Sequence, residues 1–352
     1  MDNSNITEDE QGIKAAEEWF ESGGGTRLFL RRWTGKQAPR AVLHIVHGMA
    51  EHSLRYDKFA RRLCGEGIEV WAADQRGHGK TADLSVNKAG KGGLPGHCDD
   101  VDGIPAVQDD IRRINRAIKK ARPDLPLFLM GHSWGSFEVQ YYIEDGDAAS
   151  GESEGDLIDG CILSGTRGPD GVKIKAGAFV LALISALVGP RYGSRLSRAI
   201  SDGPFNRAFK PNRTAFDWLS RDEKEVDAYT ADPASGMLCS SGFYRDLGAL
   251  LKAIHRKDRM AAIRKDLPVY VFAGNSDPVG DMGNSPTALV DAYRSLGIKD
   301  LEFVLYPGAR HEMLNETNRE EATGDLVAWL NRHIGTSGLV PGASSEKTVD
   351  SL

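Results

Sequence analysis

Cysteine, long apolar runs and excess positive charge are all scarce in this sequence of 352 residues. The cysteines, Cys64, Cys98, Cys161 and Cys239, lie far apart, so no C-x-x-C metal or redox motif exists. Cys64 falls in an amphipathic helix pattern and Cys161 in an apolar strand pattern, and buried free thiols are the expectation. The longest uncharged apolar run, AGAFVLALISALV (176–188), is shorter than the roughly 20 residues a bilayer-spanning helix needs. The opening MDNSNITEDEQ is acidic and lacks the basic-then-apolar layout of a secretory signal. A soluble, cytoplasmic, reduced protein is therefore expected. The formal net charge of −6 gives no support to nucleic-acid binding, which uses a clustered basic face.

What is present is an ordinary globular composition, 40% hydrophobic and 27% charged. The length suits one large α/β domain with an inserted segment, or two domains. Residues 1–12 and 336–352 are polar and aperiodic, and read as weakly ordered tails. EEWFESGGGTRLFLRRW reads as a hairpin turning at Gly23–Gly25. After it, apolar runs alternate with helical patterns. AVLHIVHG (41–48), IEVWAAD (68–74), PLFLM (126–130), LIDGCILSG (157–165), LPVYVFAGN (267–275) and LEFVLYP (301–307) read as strands. Helical spacing marks 55–67, 104–124 and 134–142, the stretch PTALVDAYRSLG, and 319–334. Strands apolar throughout and separated by helices imply a parallel sheet covered on both faces. The rhythm breaks between about 167 and 266, a helix-rich stretch without a clear buried strand, which reads as an insertion.

Two G-x-S-x-G patterns occur, Gly131-His132-Ser133-Trp134-Gly135 and Gly151-Glu152-Ser153-Glu154-Gly155. A nucleophile elbow needs a strand delivering the serine, a tight turn, and a helix leaving it, with small residues two before and two after. Ser133 has PLFLM ahead and FEVQYYI behind. Ser153 has no apolar strand before it, and its glutamate neighbours disfavour both an ionised hydroxyl and an oxyanion. It reads as a solvated loop serine. The acidic loop around it does not match calcium-loop ligand spacing.

A serine nucleophile needs a base and a carboxylate to orient that base. After a strand-delivered serine the order is acid, then histidine. Asp277 follows the strand VYVFAG and His311 follows LEFVLYP, both beyond strand C-terminal ends, where open parallel sheets bind ligands. Ser133, Asp277 and His311 are therefore the expected triad, with Asp281 as the alternative acid. The oxyanion needs two backbone N–H donors. Trp134, directly after the nucleophile, and Met49, in the loop HIVHGMAEH, are the candidates. His47, Glu51 and His52 show no clean metal-ligand spacing and read as loop-shaping residues. Neither metal nor cofactor is expected.

Taken in order, HGMAEHSLRYDKFARRL, ADQRGHGKT, GHSWGS, NSDPVGD and GARHEM resemble the monoacylglycerol lipase and lysophospholipase group of α/β-hydrolases across about residues 25–335. The resemblance implies an eight-stranded, mostly parallel sheet with helices on both faces and an inserted helical cap. The division is then core 1–166, cap 167–266, core 267–335 and tail 336–352. It implies Ser133 as nucleophile, His311 as base, Asp277 as its orienter, and the Met49 and Trp134 amides as oxyanion hole, with Asp74 through Gly79 a structural loop. The implied activity is serine carboxylester hydrolysis of a lipid-like ester, of the monoacylglycerol or lysophospholipid type. A small-molecule esterase, amidase or aminopeptidase with the same triad is the alternative, and a non-catalytic binding module the third reading. Trp134 and Ser136 depart from the group's G-H-S-M-G-G, which points to a changed substrate pocket. The run AGAFVLALISALV, flanked by Lys173, Lys175 and Arg191, is open to three readings: membrane-surface contact, an acyl-pocket wall, or core packing. No protein partner follows from the sequence.

Overall fold

The computed structural model describes residues 5–145, 157–169 and 171–335. Ser153 and the tail from residue 336 lie outside the described residues. The sheet strands are β1 (Asn5–Glu8), β2 (Lys14–Glu21), β3 (Arg27–Thr34), β4 (Ala41–Val46), β5 (Ile68–Asp74), β6 (Leu127–His132), β7 (Gly160–Ser164), β8 (Val269–Gly274) and β9 (Leu301–Tyr306). They form one sheet in the order β1-β2-β3-β5-β4-β6-β7-β8-β9. From β5 to β9 every pairing is parallel, while β1, β2 and β3 close one edge antiparallel. Among the described residues the sheet thus has nine strands rather than the expected eight. The extra one is β1, inside the segment read as a tail: NITE is too short and polar to announce a strand, and pairing with β2 defines it.

The helices are α1 (Asp57–Gly65), α2 (Gly103–Ala121), α3 (Trp134–Ile143), α4 (Gly171–Val188), α5 (Arg195–Ser201), α6 (Glu223–Ala231), α7 (Ser241–Ala253), α8 (Lys257–Ala261), α9 (Asn284–Ser295) and α10 (Arg319–Ile334). β4 shows why the central strands are apolar at every position. Val42 and Val46 pack into the core shared with α2, α3 and α9, and Ala41, Leu43 and Ile45 into the opposite one, with α1 and α10. A strand buried on both faces has no solvent side to mark with polar residues. All four cysteines are buried and free.

Two features of this topology position the site. The strand order reverses between β4 and β6, so the loops leaving these neighbours open a crevice at their C-terminal ends. Between β7 and β8 the chain runs through α4 to α8 and adds no strand to the sheet; a lone bridge, Gly193 with Ser240, ties that segment together.

Candidate active site

Ser133 sits between the last residue of β6 and the first of α3, at φ 52° and ψ −122°. That left-handed conformation is strained for a non-glycine residue and must be held by its surroundings. The Ser133 amide donates to the Ser164 carbonyl of β7 (2.9 Å), and its own carbonyl accepts from the Ser136 amide (2.8 Å). The flanking glycines are required sterically. A Cβ on Gly131 would lie 2.3 Å from the Gly135 oxygen, and one on Gly135 would lie 2.1 Å from the Val46 oxygen.

His311 follows β9 and Asp277 follows β8, as expected. His311 Nδ1 and Asp277 Oδ2 are 2.9 Å apart, and both side chains are buried. Asp277 Oδ1 also accepts from the Val279 amide (2.8 Å). Asp281, the alternative acid, is exposed. Burial works against a charged His311, but the Asp277 carboxylate beside it, with Glu312 and Glu51, outweighs this and raises its pKa. The His132 ring packs 4.8 Å from that of His311. Burial, reinforced by His311, pushes His132 down to about 4, so it stays neutral.

Ser133, His311, Met49 and Trp134 all line one cavity of about 310 Å3. Trp134 opens α3, and a first-turn amide has no partner within its helix. Among the described residues the Met49 amide has no hydrogen-bond partner either. The segment between β7 and β8 supplies much of the apolar wall, including Ile174, Ala178, Leu181, Phe205, Met237 and Leu247. From the same segment, Trp218 packs on His311 with ring centres 5.1 Å apart.

The residues read as loop-shaping do hold the loop after β4. His47 Nε2 accepts from the Gln75 amide (2.9 Å), while its Nδ1 lies 2.8 Å from the Gly48 oxygen. Glu51 accepts from the Gly48 amide (2.5 Å) and His52 pairs with Asp232 (2.7 Å). Asp74 accepts from the Ser53 amide and hydroxyl, from Arg31 and from the Lys80 amide.

Of the two departures in GHSWGS, one changes meaning. Ser136 is fully buried and donates to the Ser133 carbonyl (2.6 Å), with Thr166 Oγ1 2.9 Å away. It braces the elbow and is no part of the cavity wall. Trp134 does reach the wall, with its ring stacked on His78 (5.2 Å) and edge-on to Phe243 (4.9 Å).

Sequence reasoning missed Arg55 and Glu312. The Arg55 guanidinium grips Glu312 with two bonds (2.6 and 2.7 Å) and Glu51 with a third (2.7 Å). It thereby joins the loop carrying Met49 to the loop carrying His311. Burial alone would favour neutral carboxyls, but Arg55 holds both glutamates below their ordinary range. Both residues stood inside quoted motifs, yet no local pattern links positions 257 apart.

A strained serine at the switch point of a parallel sheet, sharing a cavity with an acid-paired histidine, is the arrangement of an α/β-hydrolase. The chain belongs to the Hydrolase_4 family (serine aminopeptidase, S33), which it matches over residues 37–318. It is similar to the monoacylglycerol lipase of Mycolicibacterium smegmatis, 30% identical over 321 residues that cover 91% of this chain and 98% of that one. It is also similar to human monoglyceride lipase, 27% identical over 320 residues, covering 89% and 90%. Among solved structures, a thermostable carboxyl esterase from Bacillus coagulans in complex with glycerol superposes with a TM-score of 0.78 at 26% identity, covering 91% of this chain and 99% of that one.

Proposed function

We propose that this protein is a serine carboxylester hydrolase for lipid-like esters of the monoacylglycerol or lysophospholipid type. Ser133 is the nucleophile, His311 the base, Asp277 its orienter, and the Met49 and Trp134 amides the oxyanion hole. Residues 167–266 form the cap. The observation that carries this reading is the cavity: Ser133 and His311 share it with an apolar wall built largely by the cap. The relatives named for monoacylglycerol and monoglyceride hydrolysis support the same substrate class.

In this mechanism, Asp277 at His311 Nδ1 holds the tautomer that leaves Nε2 free to accept a proton. Nε2 takes the Ser133 proton as Oγ bonds to the ester carbonyl carbon. The resulting oxyanion is stabilised by the two amides. Collapse breaks the bond to the alcohol oxygen, which takes the proton back from His311 and leaves an acyl-serine. Water then attacks, giving a proton to His311, and the second collapse releases the acid and returns the proton to Ser133. The sequence of steps requires neither metal nor cofactor.

The cap would also touch a lipid surface. Among the described residues no helix is long and apolar enough to cross a membrane. Phe179, Leu183 and Leu187 on α4 and Leu196 on α5 are nonetheless exposed. Of the basic residues flanking the apolar run, Arg191 is committed to Asp100 (2.5 and 2.7 Å), Lys175 is exposed, and the Lys173 side chain lies outside the described residues. Free buried cysteines fit a reducing, cytoplasmic location.

One observation favours the second reading, an amidase or aminopeptidase. Asp202 reaches the cavity wall 3.4 Å from Arg198, and among the described residues one of its oxygens has no hydrogen-bond partner. Burial raises its carboxyl to about 6. Such a group could receive a substrate amine.

A fluorophosphonate probe should label the wild type and not Ser133→Ala. Labelling that persists in the variant refutes the nucleophile, and an unlabelled wild type favours a binding module. A panel of acyl esters of increasing chain length, with amino-acid amides alongside, should show preference for long esters. Equal turnover of short and long esters ends the lipid reading, and faster amide turnover installs the second.

A further inference from the structure

We infer that Tyr229, on the cap helix α6, is a positioning residue for the oxyanion hole, holding the loop that carries Met49 through the Ala50 carbonyl. This rests on the role proposed for the Met49 amide. Ala50 has φ 55°, the left-handed region that an alanine rarely adopts. Such a conformation persists only where neighbours over-determine it. On one side of Met49, the Gly48 amide is anchored to Glu51 (2.5 Å). On the other, the Ala50 carbonyl accepts two hydrogen bonds, both from the cap: the Tyr229 hydroxyl at 2.9 Å and the Gly236 amide at 2.8 Å. The Met49 amide lies between these two clamps.

The cap residues that provide the clamp are themselves constrained. The Tyr229 ring lies edge-on to Phe216 (4.9 Å) and beneath the Arg55 guanidinium (4.7 Å), the same guanidinium that grips Glu51 and Glu312. Burial holds the phenol far above its ordinary pKa, so it remains a donor throughout the working pH range. Gly236 arrives through a turn in which Asp232 accepts from the Ala234 amide and the Ser235 hydroxyl, and Asp232 is tied to His52. Gly236 has φ 67°, and a Cβ there would lie 2.8 Å from the Phe216 ring. Lifting the cap would leave a buried carbonyl without its donors and a strained Ala50 without its restraint. The oxyanion hole is therefore assembled only under a seated cap.

The test is Tyr229→Phe, which removes one oxygen and keeps the ring. With a short soluble ester, kcat should fall about tenfold, as for loss of one buried hydrogen bond, while KM stays within about twofold. Affinity for a trifluoromethyl ketone, which presents an oxyanion, should fall in parallel with kcat/KM. Adding Ala50→Gly, which takes φ 55° without strain, should restore most of the lost kcat. An unchanged kcat in Tyr229→Phe, a loss confined to KM, or a failure of Ala50→Gly to restore the rate would each overturn the inference. Probe labelling of wild-type Ser133 keeps the two proposals apart: if it labels normally while Tyr229→Phe is fully active, only the role of Tyr229 fails.

Discussion

The helices α2 and α4 are nearly equal in length, 19 and 18 residues, and could hardly be read more differently. In α2, Ile104, Val107, Ile111, Ile114 and Ile118 are buried along one face, and Arg113, Arg116 and Lys120 are exposed on the other. Its sequence states which side meets the sheet. In α4 the apolar residues go all the way round. Leu181 is buried and Ala178 packs close to Gly248 of α7, while Phe179 is 70% exposed and Leu187 76%. A uniformly apolar helix usually signals full burial. Here one face builds the cavity and the other faces outward, so α4 is apolar for two reasons that periodicity cannot separate. In α2 the apolar residues go into the core, whereas in α4 part of them line the cavity and part stay exposed.

Five outcomes sharpen or break this contrast. The largest belongs to the core's strand-end loops. Asp277→Asn should lower kcat on the order of 10^4-fold, because an amide leaves His311 in the wrong tautomer. The pH profile supplies the sign. His311 must be neutral to act, and its pKa is raised, so kcat/KM should climb with pH through an apparent pKa above 6.5. A lower value would mean that Asp277 does not govern the base.

Next comes Arg55→Met, which strands two buried carboxylates. Denaturant titration should show a loss of about 3–5 kcal/mol. Ile111→Ala in α2 should cost about 2–5 kcal/mol by the same measurement. In α4, Phe179→Ser combined with Leu187→Ser should change stability by less than about 0.5 kcal/mol per site. The double variant should keep its turnover of a short soluble ester, yet bind lipid vesicles on the order of tenfold more weakly. If it unfolds like Ile111→Ala instead, α4 is an ordinary core helix and the contrast is lost.

The legible part of the site was the part built by short stretches of chain. The elbow at Ser133 is a strand, a turn and a helix in succession, and its glycines answer to atoms a few residues away or on the adjoining strand. Asp277 and His311 were recognisable because each follows an apolar run directly. The edge strand β1 was not legible, since four polar-leaning residues become a strand only through β2. Ser136 was read, with Trp134, as a sign of a changed substrate pocket, because its side-chain direction depends on Thr166, which β7 brings alongside.

By itself, then, the sequence determined the parallel sheet and the places of Ser133, Asp277 and His311 just beyond three of its strand ends. Each is set by local periodicity and by what must stand at a strand end. Only the tertiary structure decided how those groups are held. Tyr229 reaches the Ala50 carbonyl across 179 positions and Arg55 reaches Glu312 across 257. No periodicity spans such distances. These bonds exist because the parallel strands bring the loops after β4 and β9 to the same C-terminal end of the sheet and the insertion after β7 folds back over them, so their partners are chosen by topology rather than by neighbours in the chain.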